Sequence, residues 1–281
     1  MSELLESLTV VMIINIITVV FCAAGVVFLI IWFFRFSGPR SIANSPARRN
    51  RMSIYVPLLL ITIWLALVAG VTLAILKLAG DLAEWKQDLM SYLAICIIEI
   101  VVIVIIFCVA SKSFVRGLKG FGLNVRTAGT DFIEAMINFA TVMPLVIAGI
   151  LLAMYLGQVI VGPEFKLESS EGLVVILKHD QLALRLLLLG FVIIVVPVFE
   201  ELLFRGLLQS MIRGFVHGPW EAIFLASAAF TVMHPVTHWL ALFILAGCMG
   251  YAYEKSGSLF RPIFIHAFFN AASVTAALLT G

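Results

Sequence analysis

Eight apolar runs, at 9–34, 55–79, 90–110, 132–156, 182–212, 220–235, 238–253 and 259–279, limit what this chain can become. A bilayer hydrocarbon core of about 30 Å is crossed by about 20 helical residues. All but the sixth and seventh runs reach that length; those two are expected to tilt less or to stop partway across. None of the runs alternates with the ten-residue rhythm of a membrane barrel strand. The expected class is therefore all-α, a polytopic membrane helix bundle of about eight transmembrane helices. Charged residues make up 12% of the chain, half the share of about 25% usual in soluble domains. A net charge of +2 gives no case for nucleic-acid binding. Cys22, Cys96, Cys108 and Cys248 all lie in apolar runs without C-x-x-C spacing and read as small hydrophobes. Glu3 and Glu6 precede the first run and no basic residue does, so that run reads as a retained span, not a cleaved signal.

The loops differ in charge. Residues 35–52 carry Arg35, Arg40, Arg48, Arg49 and Arg51 and no acid, and 111–130 carry Lys112, Arg116, Lys119 and Arg126, with Asp131 only just beyond. The 80–89 and 157–181 loops are mainly acidic. Basic loops stay cytoplasmic, so both termini are expected outside, in the plasma membrane of a prokaryote. The arginine-rich loop acts chiefly in topology, with anionic lipid as a second role. Polar content then divides the chain into a four-helix membrane region at 1–156, an outer loop at 157–181 and a catalytic membrane core at 182–281.

That core contains "VPVFEELLFRGLL", Val196 to Leu208. A charge at the centre of a span costs about 3 kcal/mol on insertion scales, so Glu200, Glu201 and Arg205 need partners or a function. Glu201 and Arg205 are i,i+4 and suit an intrahelical ion pair. Glu200 points about 100° away and has Phe204 as its own i+4 neighbour, which leaves its carboxylate free for chemistry. Pro197 can kink the helix. "FTVMHP" ends a short span in His234, and "HAFFN" puts His266 and Asn270 on one face. Both can donate hydrogen bonds to an oxyanion. At 1.5 Å per residue, Glu200 lies about 20 Å from Gly214 and His234 about 21 Å from Trp220, whereas His266 is about 10 Å from Ser258. A shared cavity entered from the cytoplasm is expected.

Other polar residues have plainer readings. Glu99 is mid-span and is expected to contact Asn138 or Arg185 structurally. His238, His217 and His179 read as loop histidines. Ala246 and Gly250 mark close helix packing, and "SKSFVRGLKGFGLNV" an amphipathic stretch on the cytoplasmic surface.

In order and spacing, E-E-x-x-x-R at 200–205, F-x-x-x-H at 230–234 and H-x-x-x-N at 266–270 resemble the CPBP/Abi family of intramembrane proteases. Its best-known members are the CAAX prenyl endopeptidases of the Ras-converting type. "FRGLLQ" and "GYAYEKSGSLFRPIFIHAFFN" fit as well, and the resemblance covers roughly 182–281. It implies an endopeptidase acting on a lipidated or membrane-associated peptide, a prenylated CAAX-type tail being one such substrate, with the bilayer as its other partner. Glu200 with His234 would activate water, His266 and Asn270 would hold the oxyanion, and Arg205 would fix Glu201. The family is labelled metalloprotease and is also argued to act without metal. Zinc on Glu200, His234 and His266, with one open position, and a metal-free site both remain open. A non-enzymatic immunity or partner-binding protein and a proton-coupled transporter are the alternatives; the absence of internal repeats counts against the last.

Overall fold

A computed structural model describes residues 2–36, 38–168 and 171–280. Ser169 and Ser170 of the expected outer loop, Ser37 of the arginine-rich loop, and Met1 and Gly281 lie outside the described residues. The described chain is helical: α1 Ser2–Arg35, α2 Tyr55–Leu78, α3 Glu84–Ser113, α4 Ala128–Ile160, α5 Leu182–Ile212, α6 Pro219–Val232, α7 Trp239–Ser256 and α8 Phe260–Thr280. Six are long and apolar enough to cross a membrane; α6 and the Val19–Arg35 part of α1 are shorter apolar helices. The polytopic helical bundle expected from hydropathy is the fold observed.

Helix ends follow local chemistry. At the start of α6, Gly218 precedes Pro219, whose missing N–H is harmless in a first turn. The Glu221 carboxylate there accepts the His217 N–H at 3.0 Å, which makes His217 a turn residue as expected. α7 ends at Gly257, whose φ of +73° is the left-handed conformation that a glycine adopts without strain.

α5 lies at the centre, in contact with α2, α3, α6, α7 and α8, while α4 packs across α1, α7 and α8. Every residue from Glu201 to Met211 is buried. Protein therefore surrounds Glu201 and Arg205 of this helix. The hydrogen-bond register of α5 changes twice, to π over Phe191–Val195 and over Leu202–Gln209, on either side of an α segment, Val196–Glu201. Pro197 sits at the start of that α segment, next to the first π turn.

The two basic loops fold onto one end of the bundle. The Arg48 guanidinium lies 3.5 Å over the Tyr253 ring and donates to the Tyr253 carbonyl at 3.0 Å. The Tyr253 hydroxyl donates to the Phe121 carbonyl at 2.8 Å. The Arg51 and Val115 amides bond to Ser113 and Arg49 carbonyls. The amphipathic stretch departs from expectation. Phe114 and Phe121 are buried and pack on each other at 5.0 Å, so its aromatic side faces the protein core. Gly206 makes room for this, because a Cβ there would collide with the Phe121 ring.

Candidate active site

The Glu201–Arg205 pair forms at 2.7 Å, with side chains 0% and 1% exposed. Arg205 also donates to the Ala246 carbonyl at 3.3 Å and stacks 4.5 Å over the Phe230 ring. Gln209, one turn on, donates to the Gly250 carbonyl at 3.2 Å and to Glu254 at 3.1 Å. Ala246 and Gly250 thus do more than permit close packing. Their small side chains let α5 side chains reach the backbone of α7.

His266 bridges the two glutamates. Its Nδ1 is 2.9 Å from Glu201 Oε1, and its Nε2 is 3.8 Å from Glu200 Oε2. A carboxylate can only accept, so Nδ1 carries the hydrogen. The Glu200 side chain is 13% exposed, and its Oε2 is buried without a hydrogen-bond partner. The direct ion contact of Glu200 is with His266. His234 sits just beyond the end of α6, where the last-turn carbonyls lack helical partners. Its Nδ1 takes one of them, Phe230 O, at 3.0 Å. The Nδ1 therefore holds the hydrogen, and Nε2 presents a lone pair.

Asn270 takes a place that its spacing to His266 does not foretell. Its Nδ2 donates to the Val192 carbonyl in the first π turn at 2.8 Å. One of its two amide hydrogens is thereby used.

Phe230 connects these groups, a role that sequence reasoning missed. Its ring meets Arg205 on a face, Phe204 at 5.3 Å, His234 at 4.7 Å and His266 at 5.9 Å. The signal was available: Phe230 is the F of F-x-x-x-H, one turn before His234.

Glu99 finds neither expected partner. Arg185 is held by Asp180 and by the Ile176 and His179 carbonyls, and Asn138 lines a cleft with Trp32 and Tyr251. Glu99 is 3% exposed, its Oε2 lacks a hydrogen-bond partner, and it lies within electrostatic reach of Glu200. His179 lies between helices, as expected of a loop residue; it is also buried and bonded to Asp88 of α3 at 2.8 Å, since burial requires a partner for its ring. His238 lies in the short turn Val236–His238, as expected of a loop residue.

Among the described residues, Glu200, His234 and His266 do not gather into a three-donor metal set.

The family comparison bears on this same stretch. Residues 182–272 match the family model described as Rce1-like: Type II CAAX prenyl endopeptidase Rce1-like. The match spans about one third of the sequence and contains α5, α6, α7, His266 and Asn270. The family is one of membrane endopeptidases, in keeping with the apolar helices. No curated protein and no solved structure matches the chain.

Proposed function

We propose that the protein is an intramembrane endopeptidase that hydrolyses a peptide bond in a lipidated or membrane-associated peptide, with CAAX-type tails as the first substrates to test. The observation that carries this reading is the buried His266 bridge between Glu200 and Glu201 inside the Rce1-like match. Glu200 is the one carboxylate of the pair not held by arginine, so it serves as the general base. A water donating one hydrogen to Glu200 and the other to His234 Nε2 directs its lone pair at the scissile carbonyl carbon. Glu200 takes the proton as the oxygen–carbon bond forms, and the carbonyl π electrons move to the oxygen. His266 Nε2–H, in the imidazolium form, and the second Asn270 amide hydrogen receive that oxyanion. With His266 protonated, Glu200, Glu201, His266 and Arg205 sum to zero charge, which suits a low-dielectric site. Collapse of the intermediate breaks the carbon–nitrogen bond, and Glu200 returns its proton to the leaving amine. No step is routed through a metal.

The basic loops at 35–52 and 111–130 face the cytoplasm in this reading, and the substrate enters from that side or from the membrane plane. The test is reconstituted protein with prenylated and membrane-derived peptides, comparing wild type, Glu200→Ala and His234→Ala. Losing an acid–base group typically lowers the rate about 10²–10⁴-fold. Retained cleavage in Glu200→Ala would remove Glu200 as the base.

A further inference from the structure

The first π turn of α5 leaves one carbonyl without a backbone partner. The Val196 N–H, which would bond Val192 O in an α register, donates to Phe191 O instead. The π register would offer Val192 O the N–H of residue 197, but that residue is proline and has none. The unclaimed oxygen is the atom to which Asn270 Nδ2 donates, at 2.8 Å, across the contact between α5 and α8.

We propose that Pro197 is a positioning residue for Asn270: by withholding an N–H, it keeps the Val192 carbonyl free to orient the Asn270 amide. The proposal rests on the reading of Asn270 as an oxyanion donor. Two amide hydrogens lie in one plane, so fixing the first on Val192 O fixes the direction of the second. Glu200 is three residues beyond Pro197 on the same α segment. The base and the anchor of the oxyanion donor are thus set by one short piece of helix. A proline in a helix interior ordinarily costs a hydrogen bond, and the Asn270 side chain supplies the replacement.

The experiment compares Pro197→Ala, Asn270→Ala and the double variant with wild type, in reconstituted full-length protein. A panel of prenylated and membrane-derived peptides is the substrate, and kcat, KM and thermal stability are read for each. Asn270→Ala is expected to lower kcat about 10²–10³-fold, as for other oxyanion donors. Pro197→Ala restores an N–H that competes for Val192 O, and is expected to lower kcat about tenfold or more with KM unchanged. Its stability should equal or exceed that of wild type, whereas a merely structural proline would lose stability and activity together. The double variant should be no slower than Asn270→Ala alone. Wild-type kcat in Pro197→Ala, or multiplicative losses in the double variant, would overturn the proposal. Wild-type kcat in Asn270→Ala would instead overturn the oxyanion role on which it rests.

Discussion

Replacing Arg205 by methionine tests whether the centre of the bundle is held by a charge pair. Methionine keeps much of the arginine length and removes three contacts: the 2.7 Å bond to Glu201, the 3.3 Å bond to the Ala246 carbonyl and the 4.5 Å stack on Phe230. Glu201 then stays fully buried with His266 Nδ1 as its remaining donor, its Oε2 already lacking one. Leaving a buried charge without its partner costs about 3–5 kcal/mol. Glu201→Gln should cost a similar amount, because it strands the guanidinium. The double variant Glu201→Gln/Arg205→Met buries no charge in this pair, and the amide oxygen of the introduced glutamine can still accept from His266. It should therefore lie within about 2 kcal/mol of wild type, since neutral replacements of buried pairs are often tolerated. Unfolding in mixed micelles with rising dodecyl sulfate, followed by tryptophan fluorescence, measures all four proteins. If the double variant loses the sum of the two single losses, the charges are independent and the argument fails.

Further outcomes follow from other contacts. Glu99→Leu removes a buried carboxyl whose Oε2 has no hydrogen-bond partner and should raise stability by about 1–2 kcal/mol in the same unfolding assay, with peptidase rate unchanged; a tenfold fall in kcat would bring Glu99 into the chemistry. Gly206→Ala drives a methyl group into the buried Phe121 ring and should cost about 1–3 kcal/mol, most of it recovered with Phe121→Leu. Because Glu200, His234 and His266 do not gather as a donor set, dialysis against a chelator should leave kcat unchanged; a loss restored by Zn²⁺ would show that the set closes on metal.

The spans were legible because hydropathy and length act along the chain, so the bounds of α2 and α8 fall within a residue or so of the apolar runs. The Glu201–Arg205 pair was legible for the same reason: i,i+4 is local geometry. The His266 bond to Glu201 joins residues 65 positions apart, and no spacing rule connects two helices. Arg48 shows a different limit. Counting loop charge identifies a basic segment, but it does not reveal which arginine stacks on Tyr253 of a distant helix. The π turns were hidden because composition does not encode hydrogen-bond register, and with them went the Val192 carbonyl and the place of Asn270. Glu99 was misjudged because Arg185, an obvious counter-ion by charge, is taken up by Asp180 and loop carbonyls.

The two π segments of α5 also bear on how this helix tolerates change in length. A π turn closes over one residue more than an α turn, so each segment stores a spare residue in a helix that remains continuous. Deleting one residue within 191–195 would let an α register take over without breaking the span. Because the residue removed is the spare one, Leu184 and Leu188, now buried, would keep their direction relative to Glu200; the same deletion in a plain α stretch would turn one flank by about 100° against the other. The helix thus keeps its slack on both sides of the glutamates, where a one-residue loss is absorbed without re-aiming them.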